Sequence, residues 1–148
     1  MTNLVYNIAL GRVASLAALP AANDALIAVP LEATGLVNDA TMRDYDDLAS
    51  LLAGTSNEQT TMGRKTLVSV TVTVDDTNDR VAIDCADITW TSATGNAVGA
   101  VVICYDPDTT GGTDADLIPL TKHDVALTPD GNNFSLTVAD FYRASSTA

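Results

Sequence analysis

The sequence predicts a mainly β protein, a β-sandwich or jelly-roll-like pair of antiparallel sheets with two short N-terminal helices. Three observations predict it. Within 66–85, Val68, Val70, Val72 and Val74 share one parity, with Leu67, Ser69, Thr71 and Thr73 on the other. After an acidic turn, Val81, Ile83 and Cys85 oppose Arg80, Ala82 and Asp84. Side chains on a strand alternate faces with period two, so this pair reads as a hairpin with one dry side. The run 97–105 is apolar at both parities, as a central strand is. Short strand-like runs separated by polar turns then continue toward the C-terminus, as in two-sheet architectures.

Taken in order, residues 3–19 read as an amphipathic helix, with Leu4, Ile8, Val13, Leu16 and Leu19 near one stripe and Pro20 beyond its end. Asn23 and Asp24 make a turn, and 25–29 a short buried strand that Pro30 stops from extending. A second helix is expected from 39 or 41 to 53. Asp39 would cap it, Asp44, Asp46 and Asp47 lie early, where the helix dipole favours anions, and Gly54 ends it. Its apolar side would be Met42, Tyr45, Leu48, Leu51 and Leu52. Residues 54–64 read as a polar loop with little to pack. Past the hairpin come a strand at 88–90, the central strand, and a loop over 107–116. A strand at 117–120 follows, assigned to an edge by Pro119. A last hairpin pairs 125–127 with 134–138 across a Pro129-Asp130-Gly131-Asn132 turn. The organisation expected is one domain, 1–148, with a helical and strand N-terminal part (1–64), a β core (65–142) and a mobile tail (143–148).

The chain has 148 residues and a net charge of −12, from 19 acidic against 7 basic side chains. Only Arg64 and Lys65 adjoin, so neither a phosphate-binding groove nor an anionic membrane surface is expected as partner. The N-terminal apolar run lacks a preceding basic residue and is interrupted by Arg12, unlike a signal peptide. Synthesis in a cytoplasm is the expectation.

Candidate chemistry is sparse. His123 is the only histidine, and Asp124 beside it is badly placed to orient it. Cys85 and Cys104 read as buried small hydrophobes, with a disulfide between neighbouring strands as the alternative. In the acidic loop, Asp106, Asp108 and Asp114 occupy calcium-loop positions one, three and nine. The twelfth position is Leu117 in place of a bidentate Glu, and the flanks are strands. Asp75, Asp76 and Asp79 are a second acidic group, best suited to a turn. Paired-carboxylate glycoside chemistry needs aromatic platforms, and only 5% of residues are aromatic. No catalytic residue, cofactor or metal is expected, and the chain is read as not an enzyme.

The order Lys65-Thr66-Leu67, alternating valines, Asp75, Asn78, Arg80-Val81, then Asp84-Cys85-Ala86-Asp87-Ile88-Thr89-Trp90 resembles small virion structural proteins of tailed bacteriophages. The later run Ala100-Val101-Val102-Ile103-Cys104-Tyr105-Asp106, its Gly/Thr-rich loop, and Leu117-Ile118-Pro119-Leu120 continue the resemblance. Upstream, Val5-Tyr6-Asn7, the strand at 24–29 and the helix around 45–52 match more loosely. The resemblance implies a head decoration (cement) protein on the capsid surface, with the major capsid protein as partner and a small oligomer of itself as a further one. A tail, neck or fibre-associated virion protein is the alternative, and a cation- or carbohydrate-binding β module a third. Contacts are expected from Met1, Thr2, Asn3, Leu4, Val5 and Tyr6 and from the 54–64 loop, Arg64 included.

Overall fold

The strand that is apolar at both parities lies where such a strand must lie, in the middle of a sheet covered on both sides. The structure, a computed structural model, describes residues 3–20 and 22–145. In chain order the strands are β1 (Leu4–Val5), β2 (Ala25–Glu32), β3 (Lys65–Thr66), β4 (Thr71–Asp75), β5 (Arg80–Asp84), β6 (Ile88–Trp90), β7 (Val98–Asp106), β8 (Ile118–Leu127), β9 (Phe134–Leu136) and β10 (Tyr142–Ser145). The helices are α1 (Val13–Ala17), α2 (Asp39–Met42) and α3 (Leu48–Ala53), with a 3₁₀ turn at Asn7–Ala9. The described strands form three antiparallel sheets, ordered β1-β8-β7-β2-β3, β10-β5-β4 and β6-β9.

Alternation along β2 and β7 divides the core in two. Leu26 and Ala28, with Val101, Ile103 and Tyr105, face α1 and the smaller sheets, meeting Val13, Leu16, Ile83, Ile88 and Trp90. Ile27, Val29 and Leu31, with Val102 and Cys104, face the other way onto Tyr6, Met42, Leu48 and Leu51. Helices this short do not form alone, and burial holds them. Leu48 and Leu51 are fully buried on α3, and each such leucine contributes about 2 kcal/mol. The smaller sheets are held in part by Trp90, which stacks on Phe134 at 5.8 Å between ring centroids and donates from Nε1 to the Gly63 carbonyl at 2.9 Å.

The N-terminal half differs from expectation in four places. The single helix over 3–19 is replaced by β1, the 3₁₀ turn and α1, because Gly11 adopts φ +73°, where a right-handed helix cannot continue. Strand β2 runs through Pro30 to Glu32. The Pro30 carbonyl accepts from Gln59 N at 2.9 Å, so the nitrogen of Pro30 points the same way, off the β7 side and beyond β3. No β7 bond is lost, and the proline is tolerated inside the sheet. The second helix is two helices. Asn38 caps α2 by accepting from Thr41 N at 3.1 Å, and Asp47 caps α3 by accepting from Ser50 N at 2.7 Å. Asp47 starts a new helix instead of decorating an old one, while Gly54 ends α3 as expected. In the 54–64 loop, Ser56 and Gln59 are buried, so it packs after all.

The first hairpin forms, with Val72 opposite Ile83 and Val74 opposite Val81, but of its expected dry side only the second half, Ile83 and Cys85, is buried. Ser69 sits at φ +56° and breaks the expected strand, and β4 is an edge strand whose valines stay exposed. Val68 and Val74 are 59% and 69% exposed. Pro119 lies not in an edge strand but in β8, beside a register shift and past the end of two-residue β1. The last hairpin is also different: 125–127 continues β8, and β9 pairs with β6. Finally, Tyr142–Ser145 pairs with β5 as β10, so part of the expected tail is strand; 146–148 lie outside the described residues.

Candidate functional site

The residues expected as contacts are mostly committed to the fold. Met1 and Thr2 lie outside the described residues. Asn3 Oδ1 accepts from Asp124 N at 2.9 Å, and Leu4 and Val5 pair with Lys122 and Thr121. Tyr6 is wholly buried, and burial pushes its hydroxyl far above the usual phenol range. Arg64 is gripped on both sides: Nε and Nη2 donate to Glu58 at 2.9 and 2.6 Å, and Nη1 and Nη2 to Asp114 at 2.7 and 3.1 Å. These bonds raise its already high pKa, and the guanidinium ties the 54–64 loop to the acidic loop. Tyr6 and Arg64 are thus both tied into the scaffold, Tyr6 by burial and Arg64 by its two carboxylate partners.

The cation candidates are not brought together. Asp114 faces Arg64; Asp106 Oδ1 accepts from Asp108 N at 3.0 Å; Asp108 Oδ1 accepts from Thr110 N at 3.0 Å and its hydroxyl at 2.6 Å. The Thr110 bonds lower the Asp108 pKa, as expected of a carboxylate locked in an Asx turn. Asp75 does the same in the hairpin turn, accepting from Asn78 N and Nδ2 at 3.1 and 2.7 Å and from Arg80 Nε at 3.1 Å. Among the described residues no group of three metal-ligating side chains forms.

Two buried polar knots escaped the sequence reading. The Gln59 amide donates to the Thr94 and Asn96 carbonyls at 3.3 and 2.8 Å and accepts from Thr61 N and Met62 N at 2.9 and 3.2 Å. It fastens the 91–97 loop, where Gly95 at φ +104° has no room for a Cβ against that amide. Lys122, with no exposed surface, places Nζ 2.7 Å from both Asp39 and Asp124, fastening α2 to β8. A lysine within a strand that is otherwise largely apolar is the visible signal for the second knot; nothing marks Gln59.

A cavity of about 200 Å³ between β8 and the 136–141 segment brings His123 and Cys85 to one wall. Burial lowers the His123 pKa and raises the Cys85 thiol to about 11. A thiolate–imidazolium pair calls for shifts in the opposite directions. Cys104 is buried, and both cysteines are free thiols.

Some exposed side chains depart from the acidic pattern. The large hydrophobics exposed among the described residues are Leu10 and Leu19, which flank α1, and Val68, Val72 and Val74, on or before β4. Helix α1 packs against β4 and β5. Val72 and Val74 lie on one face of the edge strand β4, and adjoining exposed apolar side chains mark an interaction surface more strongly than scattered ones. No helix among the described residues is long and apolar enough to cross a membrane. Compared with known protein families, with curated proteins and with solved structures, the chain has no match.

Proposed function

We propose that this chain is a non-enzymatic structural protein of a tailed bacteriophage virion, docked on the capsid exterior as a decoration or cement protein. The single observation that carries an assembly role is the exposed apolar pair Val72 and Val74 on the edge strand β4 of a chain with a net charge of −12. The resemblance over 65–106 supplies the kind of assembly. A cement protein needs a rigid scaffold, and the forked Arg64 and the buried Lys122 and Gln59 knots cross-tie loops and helices to the sheets. It also needs to stay dispersed until the shell is present, which a charge of −12 favours. Contacts repeated by symmetry over a lattice then multiply weak individual affinities.

The exposed edge of β4 also suits the alternative, a tail, neck or fibre-associated protein that forms rings through edge strands. Purified protein added to expanded heads of the encoding phage that lack it separates the two. Co-sedimentation with the heads and a raised heat-disruption temperature support decoration. Ring formation by the free protein with no binding to heads supports the alternative.

A further inference from the structure

The molecule protects its sheet margins unequally. The five-stranded sheet ends in two-residue strands, β1 and β3, too short to template another chain. In the three-stranded sheet, the edge strand β4 presents Thr71-Val72-Thr73-Val74-Asp75, four β-favouring residues and an aspartate, with no proline and no lysine. Among the described residues, no backbone group pairs with its outer side. Its register sorts the faces: Val72 and Val74 lie with Ile83 and Val81, and Thr71, Thr73 and Asp75 with Asp84, Ala82 and Arg80. Charge is sorted as well. The three-stranded sheet and its turn hold Asp75, Asp76, Asp79 and Asp84 against two cations, Arg80, which Asp75 binds at 3.1 Å, and Arg143, which Asp140 binds at 2.6 Å.

We infer that β4 accepts an added strand from a basic partner, an extended segment of another protein that alternates β-branched apolar residues with lysine or arginine. Main-chain bonds to the open edge supply affinity, and the alternation supplies specificity. The partner's apolar side chains extend the Val72–Val74 face, and its cations lie on the face of Thr71, Thr73 and Asp75, beside the acidic turn. A second copy would bring the same excess of aspartate, so charge selects a different chain. The inference rests on the assembly reading only for the source of the segment, the proteins of the virion shell.

The test titrates a fluorescein-labelled Lys-Val-Lys-Val-Lys peptide with the full chain, followed by anisotropy and by hydrogen exchange. Saturable binding that weakens with salt, absent for Glu-Val-Glu-Val-Glu, is expected, with slowed exchange at the amides of 71–75. The V72K/V74K protein, and V74K alone as a milder variant, should bind about tenfold more weakly or worse with unchanged melting temperatures. Absence of saturable binding, equal binding by the variants, or protection confined to other strands overturns the proposal. So does self-association of the free protein at neutral pH with 71–75 protected, which makes a second copy the occupant. Head binding that survives V72K/V74K sinks the strand addition and spares the decoration reading; peptide binding without head binding does the reverse.

Discussion

At Gln59 four hydrogen bonds converge on one buried amide, two donated and two accepted. Truncation leaves two backbone carbonyls and two N–H groups to find new partners in a dry site, so Gln59→Ala is expected to cost about 3 kcal/mol in urea unfolding. Glu at the same position keeps the acceptor and loses both donors, and should recover little. His123 makes a second prediction. Its ring meets Phe141 edge-on at 6.4 Å between centroids and shares a hydrogen bond of 2.9 Å with the Thr121 hydroxyl. Burial, then the Lys122 charge, depresses its pKa, whereas the unfolded imidazole titrates near about 6.5. As pH falls, the unfolded chain takes the proton first. The stability from neutral His123 is therefore complete above about pH 6.5 and declines below it until the folded pKa is passed. Unfolding between about pH 7.5 and 5.5 should show this slope, and His123→Gln should flatten it.

Among the elements, β4 and α3 show opposite fates for equally apolar patterns. Leu48 and Leu51 are spaced by three on a helix and find the lower core, whereas Val72 and Val74 alternate correctly on a strand and find solvent. The difference is position in the sheet, since β4 has a neighbour on one side only. Ser69 sets where that strand begins. Its φ of +56° is tolerated by a small polar residue and resisted by a β-branched one. Ser69→Val should destabilise the hairpin by about 1–2 kcal/mol, while Ser69→Gly leaves stability unchanged or improved. Thermal melts of the two variants beside the parent decide it: equal losses would mean the backbone at 69 is not strained.

Over the whole molecule, charge and edge exposure oppose each other. A net charge of −12 keeps copies apart at neutral pH, and the sequence pI is about 4.1. Close to that pH the repulsion vanishes and the unprotected β4 edge remains. Light scattering should then show self-association of the parent near about pH 4 and much less for V72K/V74K, whose edge carries two lysines. If both associate alike, the edge is not the route.

Local rules were legible wherever one strand or one turn sufficed. Residues 97–105 read as a central strand because their apolar pattern has no wet parity, and the sheet places β2 and β8 on either side of β7. The turn residues Asp75 and Asn78, the helix stop at Gly54, and the burial of both cysteines followed from residue chemistry alone; the caps did not, since the cap expected is Asp39 and the two helices are capped by Asn38 and Asp47. Long-range pairing was not legible. Val125 to Leu127 and Phe134 to Leu136 look like hairpin partners by spacing, yet each gains more by joining an existing strand, β7 or β6. Arg64 likewise looked free because the acid that completes its fork is 50 residues away.

What the sequence determined by itself is a mainly β scaffold with an acidic surface, since period-two alternation and net charge are local sums. What only the tertiary structure decided is which valines stay wet and which polar side chains are buried. Both depend on neighbours distant in the chain: a strand's alternation names its faces, but the sheet's order determines whether either face or either edge is covered.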